Sequence, residues 1–482
     1  MVPNIDFSTI LPEIVLLCGA SVVLLADLFI SDSRRHVSFW LTQAVLAGAA
    51  WAALGTMPLQ PTGAFSGMVV DDMLAGTLKF MSSVAVSLML FYSRGYSAAR
   101  GLFRGESFVL ALFALLGMMV MIGAGSFVTL YLGLELQSLS LYALVAMYRT
   151  SNAATEAGMK YFVLGALASG ILLYGMSMIY GATGSLDIAA VGKALAAPTG
   201  DRTILLFGLV FLVSGVAFKL GAVPYHMWVP DVYDGAPTAV TLLIGTAPKL
   251  ASFAFMLRLL AVALGGLWFD WQGMLMVLSV LSMILGNVVA IAQTSMKRML
   301  AYSSIANMGY MLMGFLAANP SGYSAAMFYA IAYVLTTLAS FGMIMLLSRE
   351  GFEADQLADF KGLNHRSPWW AFMMLLAMFS LAGLPPTVGF YAKFTVIQAA
   401  VDAGFVWLAV VAVLTSLIGA FYYLRIVKLM YFDEPSDTAP IEARADNRWA
   451  LSANGLALLA FGIFPQQLLG ICVVALANSG LL

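Results

Sequence analysis

Glu135, Lys219, Lys249 and Lys393 are ionisable side chains set inside apolar stretches long enough to cross a bilayer. A charge at the centre of a membrane helix costs about 2.5–3.5 kcal/mol on insertion scales, so four such positions call for a function. The chemistry open to one carboxyl and three amines shielded from water is proton transfer. Burial makes each charged form costly, and a change in a neighbouring charge then decides whether a proton stays or leaves. Tyr131, Glu135, Ser138 and Tyr142 follow 4, 3, 4 spacing and share one helix face. Lys219 is the expected partner of Glu135. Two readings fit that pair: a switch that opens and closes, or a static ion pair that fixes packing.

Lys249 shares a face with Thr241, Gly245 and Ser252. His226 follows Pro224, where a loosened segment would let it carry a proton between Lys219 and Lys249; a hydrogen-bonded histidine at a helix end is the other reading. Lys393 has Gly389 one turn before it and lies beyond a Gly/Pro cluster of its own. Lys160, at the start of an apolar segment, is either a further relay or an interfacial residue. Ser303, Asn307 and Tyr310, with Tyr329, Tyr333 and Ser340, offer polar faces that could hold water between Lys249 and Lys393, although such stripes more often join helices. Lys79 and Arg258, near segment ends, are expected to snorkel.

The elements that position these residues follow from composition. The chain has 482 residues, 62% of them hydrophobic and 10% charged, against about 45–50% and 25% in soluble domains. This is an all-α integral membrane protein. Segments of about 20 apolar residues fall at 10–30, 37–55, 73–93, 107–123, 126–148, 157–180, 204–228, 238–264, 272–294, 300–317, 324–348, 369–400, 404–430 and 449–474, about fourteen transmembrane helices. Loops after odd-numbered segments hold fifteen Lys and Arg; those after even-numbered segments, with both termini, hold only Lys193 and Arg202. This asymmetry predicts both termini on the outer face. No basic stretch precedes the first apolar run, so no cleaved signal peptide is expected. Net charge is −1, which recruits no nucleic acid, and two cysteines with three histidines cannot make an iron–sulfur, bis-His haem or structural zinc site unaided. Dinucleotide and P-loop motifs are absent from the sequence. Redox chemistry is therefore expected in a partner.

An internal repeat organises the segments. Gly221 and Pro224 match Gly383 and Pro386 in spacing, in the seventh and twelfth segments. An odd offset of five segments makes the two units enter the membrane from opposite sides, as in inverted-repeat transporters whose broken helices mark the transport site. GxxP kinks are also common in membrane helices without any repeat. The expected organisation is residues 1–104 as helices 1–3, 105–265 as a first five-helix unit, 266–432 as a second, and 433–482 as helix 14, with helices 7 and 12 broken.

At these residues the chain resembles a known family. FKLGAVPYHMWVPDVYDGAPTAVT (218–241), MKRMLAYSSIANMGYM (296–311) and SLAGLPPTVGFYAKF (380–394) are similar to signatures of the antiporter-like subunits of respiratory complex I, a family that also includes multisubunit sodium/proton antiporter subunits. LYLGLELQSLSLYALVA (130–146) and AGMKYFVLGALASGILLYG (157–175) resemble the bacterial subunit N branch. The resemblance implies two inverted five-helix units, with Glu135 and Lys219 as a gating pair, Lys249 as central relay and Lys393 as terminal proton site. A lysine at 393, where subunit M-like chains usually have glutamate, and no long lateral helix after Phe464-Pro465 both point to that branch. The implied function is proton translocation coupled to quinone reduction, in the bacterial inner membrane. NADH, FMN, iron–sulfur clusters and quinone would belong to other complex I subunits, and this chain would bind no cofactor; its contacts would be those membrane subunits, lipid, protons and water. A multisubunit (Mrp-type) antiporter subunit and a structural spacer are the competing readings.

Overall fold

The computed structural model describes residues 5–196, 202–435, 437, 439–441 and 444–480. Met1 and Leu482, and with them the expected placement of the termini, lie outside those residues. The chain begins with helices α1 (Leu11–Asp27) and α2 (His36–Gly55), then a short antiparallel hairpin of β1 (Thr62–Ala64) and β2 (Val69–Asp71), with Thr62 opposite Asp71. Next come α3 (Met73–Ala99), α4 (Gly105–Ile122), α5 (Phe127–Val145), α6 (Asn152–Thr183), a short α7 (Ile188–Ala196) and α8 (Arg202–Leu220). The chain continues through α9 (Trp228–Gly235), α10 (Thr238–Gly245), α11 (Ala247–Met256), a π-helical stretch (Leu257–Ala263), α12 (Trp268–Ile291), α13 (Met296–Leu316) and α14 (Pro320–Leu347). It ends with α15 (Leu363–Arg366), α16 (Pro368–Ala382), α17 (Val388–Asp402), α18 (Val406–Phe432), α19 (Ala445–Ile463) and α20 (Pro465–Ala477).

Polar residues set the helix starts. Asp72, Ser126, Ser151, Ser295 and Asn319 each accept a backbone N–H of the first turn that follows, satisfying a donor with no partner inside the helix. Ser126 thus marks the start of α5 only a few residues after α4 ends.

Among the described residues, eleven stretches are long and apolar enough to cross a membrane alone, or twelve if α19 and α20, bent 83° at Pro465, count as one. The expected fourteen includes two that miss this measure. α13 carries Lys297, Arg298, Asn307 and several hydroxyls, which lower its apolarity. The twelfth segment is divided into α16 and α17.

The seventh and twelfth segments break in the same way. At the end of α8, Gly221 takes φ +76°, and Ala217 O accepts the N–H of Ala222 at 2.8 Å. At the end of α16, Gly383 takes φ +81°, and Phe379 O accepts the N–H of Leu384 at 2.9 Å. Both are glycine-terminated caps in which a bond five residues back closes the last turn. A third break has its cause in Pro248, which lacks an N–H and restricts the residue before it. The helix is interrupted at Thr246 (φ −119°, ψ −99°), so Lys249 falls in the first turn of α11 rather than mid-helix.

Segment Thr238–Ala263 and α14 run through the middle of the molecule, each 94% buried over its most apolar window, whereas α6 and α18 are 39% buried and present apolar side chains outward. Helix pairs approach closely where glycines meet. A Cβ on Gly117 would lie 2.3 Å from Gln137 N, and one on Gly133 would lie 2.6 Å from Met121 N. The α12–α13 pair repeats this, with Gly286 facing Ala306 N and Gly309 facing Ser279 O. Backbone cannot yield as a side-chain tip does. Gly133→Ala should therefore destabilise by about 1–3 kcal/mol, while Gly170→Ala, with nothing within 4 Å, should be neutral or slightly stabilising. Thermal unfolding of the detergent-purified variants checks this, and equal shifts would refute it.

Candidate functional site

Each buried lysine near a helix break rests on backbone carbonyls at a helix end. Lys249, 1% exposed on α11, donates from Nζ to Leu220 O at 2.9 Å, the last residue of α8. Lys393, 7% exposed on α17, donates to Leu381 O at 2.9 Å, Ala382 O at 3.0 Å and Ser416 Oγ at 3.1 Å. Leu220 and Ala382 each immediately precede the glycine of their break, so the two lysines reach equivalent carbonyls. The last carbonyls of a helix lack intrahelical donors and carry partial negative charge. They hold an ammonium without a carboxylate. Rings complete both sites: Lys249 Nζ lies 5.9 Å from the Trp228 ring centre, and Lys393 Nζ lies 4.9 Å from that of Tyr310.

Glu135 and Lys219 do not pair directly. Lys219 Nζ donates to Ser138 Oγ at 2.6 Å, and Ser138 in turn donates to Leu134 O. Glu135 accepts a short hydrogen bond from Ser169 on α6. The expected pair is thus open, with a hydroxyl from the same face of α5 holding the lysine. Among the described residues, no hydrogen bond or ion pair joins any two of Glu135, Lys219, Lys249 and Lys393.

His226 lies in the turn between α8 and α9, and its Nδ1 is buried without a hydrogen-bond partner. Among the described residues, no hydrogen bond joins it to either lysine it was expected to connect; the neighbouring Tyr225 hydroxyl meets Ser214 Oγ at 2.7 Å. Lys160, 42% exposed, pairs with Glu156 and Asp231, each at 2.8 Å. Arg298 also pairs with Asp231, at 3.1 Å. Lys160 therefore sits in a surface charge network on the side where Lys and Arg cluster. An aromatic stack separates it from Lys249: Tyr142 meets Tyr161 edge-on at 4.6 Å, and Tyr161 stacks on Trp228 at 4.7 Å.

The polar faces between Lys249 and Lys393 mostly bond one another. Tyr329 donates to Asn307 Oδ1 at 2.6 Å, Asn307 donates to Ser303, and Ser303 meets Tyr423 at 2.5 Å. Tyr310 meets Thr415 at 3.0 Å, and Ser340 donates to Thr336 O. The Tyr329–Asn307, Ser303–Tyr423 and Tyr310–Thr415 bonds join helices, as the alternative reading held, while Asn307–Ser303 and Ser340–Thr336 lie within one helix. A void of about 10 Å³ beside Lys393, lined by Asn307, Tyr329, Thr336, Ser380 and Gly389 among others, is close to the room one water needs.

Two cations were misplaced by sequence reasoning. Lys79 and Arg258 do not snorkel: they are 1% and 2% exposed. Lys79 pairs with Glu13 at 2.7 Å; Arg258 pairs with Asp72 at 3.0 Å and donates to Ile122 O at 2.6 Å. Lys297 was counted only as a loop charge, yet it is 4% exposed and donates to Ala236 O, the cap of α9, at 2.7 Å. The available signal was the acidic pair Asp71-Asp72 at the start of an apolar helix, which needs buried partners.

The family profile described as NADH:quinone oxidoreductase/Mrp antiporter, TM, matches residues 124–419. NADH-quinone oxidoreductase subunit N of Thiobacillus denitrificans is 59% identical over 474 residues, covering 98% of each chain. That of Nitrosomonas europaea is 57% identical over 474 residues, again covering 98% of each. Among solved structures, a chain of respiratory complex I from Thermus thermophilus with bound aureothin superposes with TM-score 0.82 at 32% identity, covering 95% of this chain and 98% of that one. A chain of the Mrp complex from Dietzia shares the fold, with TM-score 0.84 at 24% identity over 98% of this chain and 97% of that one. The chain belongs to the NADH:quinone oxidoreductase/Mrp antiporter family of membrane subunits, within its NADH-quinone oxidoreductase subunit N branch.

Proposed function

We propose that protons cross this chain by way of Lys219, Lys249 and Lys393, with Glu135 gating the first. The chain is a proton-translocating membrane subunit of NADH–quinone oxidoreductase. The observation that carries the relay is that Lys249 and Lys393 rest on equivalent end carbonyls of the two broken helices. Neutral carbonyls favour the charged form of a lysine less than the full opposite charge of a carboxylate does. A lysine held by carbonyls therefore gives up its proton more readily than one held by a carboxylate. When Glu135 draws Lys219 away from Ser138, the positive charge next to Leu220 moves, and the balance at Lys249 moves with it.

The division into units 105–265 and 266–432, flanked by 1–104 and 433–482, is part of this reading; the matching glycine caps and glycine crossings support it. Lys160 with Asp231 would collect protons at the inner surface, and His226 would serve the turn at Pro224. NADH, FMN, iron–sulfur clusters and quinone are assigned to other subunits of the complex. The membrane is the bacterial inner membrane, with both termini outside.

Arginine separates a relay from a structural cation. It keeps the charge and the carbonyl bonds, but its ordinary pKa is about three units above that of lysine, so about a thousandfold less of it is deprotonated. Lys249→Arg and Lys393→Arg should assemble, while the ratio of protons moved to electrons transferred falls sharply; an unchanged ratio would sink the relay. Glu135→Ala and Lys219→Ala should likewise assemble and lose pumping, where a spacer subunit would keep pumping and lose assembly. Sodium-driven proton flux by the reconstituted chain without NADH would assign an antiporter instead.

Orientation is tested by thiol labelling in a Cys18→Ser background. A membrane-impermeant reagent applied to right-side-out vesicles should label Leu186→Cys and spare Thr150→Cys. The reverse pattern would invert the topology.

A further inference from the structure

A basin of about 720 Å³ lies at the ends of α3, α4 and α5 on the side where Lys and Arg cluster. None of the relay residues lines it. Arg100 and Arg104 come from the loop between α3 and α4, Glu106 from the first turn of α4, and Arg149 from the loop after α5.

The charges on its wall do not balance. Arg100 is already engaged: it pairs with Glu353 at 2.7 Å and donates to Phe352 O at 3.0 Å. Arg104 donates from Nε to Gly101 O at 2.9 Å. Among the described residues, neither Arg104 nor Arg149 has an ion-pair partner, and neither does Glu106; all three are exposed. Two guanidiniums against one carboxylate leave one positive charge for a ligand to neutralise.

The other half of the basin is apolar and leads toward the depth of the membrane. Leu110 on α4 and Ala143 on α5 line it, and further along α5 Leu139 and Leu132 are 53% and 60% exposed. Leu102 and Met147 are shared with a narrow apolar slot of about 40 Å³ between α3, α4, α5 and α10. A charged rim joined to an apolar groove fits an amphiphile rather than a soluble anion. Guanidinium forks match the oxygens of a phosphate. A phosphodiester supplies one negative charge, which is the charge the wall lacks. A choline or ethanolamine headgroup would bring a cation and restore the imbalance. A glycerol headgroup brings none, and its hydroxyls can donate to Glu106. Basic pockets between membrane helices on the cytoplasmic side are suited to anionic headgroups.

We infer that this basin binds one anionic phospholipid of the phosphatidylglycerol class, with its phosphate on Arg104 and Arg149 and its acyl chains along α4 and α5. The site is separate from the relay, and its failure would leave the relay standing.

The test uses the assembled complex, depleted of lipid in neutral detergent and titrated with phosphatidylglycerol that carries a photoreactive group near the head of one acyl chain. Crosslinked peptides are identified by mass spectrometry, and half-saturation gives the affinity. Crosslinks should fall within residues 102–111 and 139–150 of this chain. Unlabelled phosphatidylglycerol should displace them, while phosphatidylcholine and glycerol phosphate should not. Arg104→Gln with Arg149→Gln should raise the half-saturating concentration about thirtyfold, at about fivefold per arginine. Arg104→Lys with Arg149→Lys, which keeps both charges, should hold the lipid more tightly than the glutamine pair. Equal displacement by phosphatidylcholine would make the occupant an ordinary boundary lipid and overturn the assignment. Displacement by glycerol phosphate would make the site one for a soluble anion and overturn it too. So would the absence of crosslinks in those two segments, which would leave the basin to a neighbouring subunit. If the glutamine pair fails to assemble, as judged by native gel, the displacement pattern of the wild-type complex decides alone.

Discussion

Helix ends hold several of the cations of this protein. Lys249 bonds the last carbonyl of α8, Lys393 those of α16, Lys297 the cap of α9, Arg258 the end of α4, and Arg425 the end of α12 through Ile291 O. Buried positive charge needs a compensating partner, and free carbonyls at a helix terminus supply one without adding an acid. The broken helices follow from the same need. A helix that stops mid-membrane exposes carbonyls that must find donors, and a lysine from a neighbouring segment is a donor that also carries a proton. Each break and its cation are two halves of one arrangement.

The two halves of the molecule solve this differently. In the first, the lysine comes from the following segment, beyond α9; in the second, from the far side of the same break. The carbonyls are equivalent while the lysines are not. Acids take part elsewhere, in Lys79–Glu13 and Arg258–Asp72, which lie beside the β1–β2 hairpin.

The sequence made legible what depends on composition and local stereochemistry. Lone lysines in apolar runs, the Gly221 and Gly383 breaks and the odd spacing of positive loops are one-dimensional signals. Partner choice was not legible. Lys219 was expected on Glu135 and bonds Ser138, because helix packing sets which oxygen comes within reach. Lys79 and Arg258 looked interfacial because a linear reading cannot see the hairpin that folds over them. The interruption at Thr246 was readable from Pro248, yet the uninterrupted apolar run around it favoured a continuous helix. Lys297 escaped notice because a lysine beside an arginine at a segment start resembles a loop charge until the carbonyl of Ala236 is placed against it.

Pro248 gives Lys249 an uncommon position. As the third residue of α11, it sits where a helix start repels cations, while the end of α8 attracts it. The ammonium lies between opposing partial charges on two separate bodies. Its preference for keeping a proton is then a difference between two comparable contributions, and a displacement of α8 against α11 by a fraction of a bond length changes that difference out of proportion to the movement. A slight sliding of one rod past another would thereby be read out as acidity.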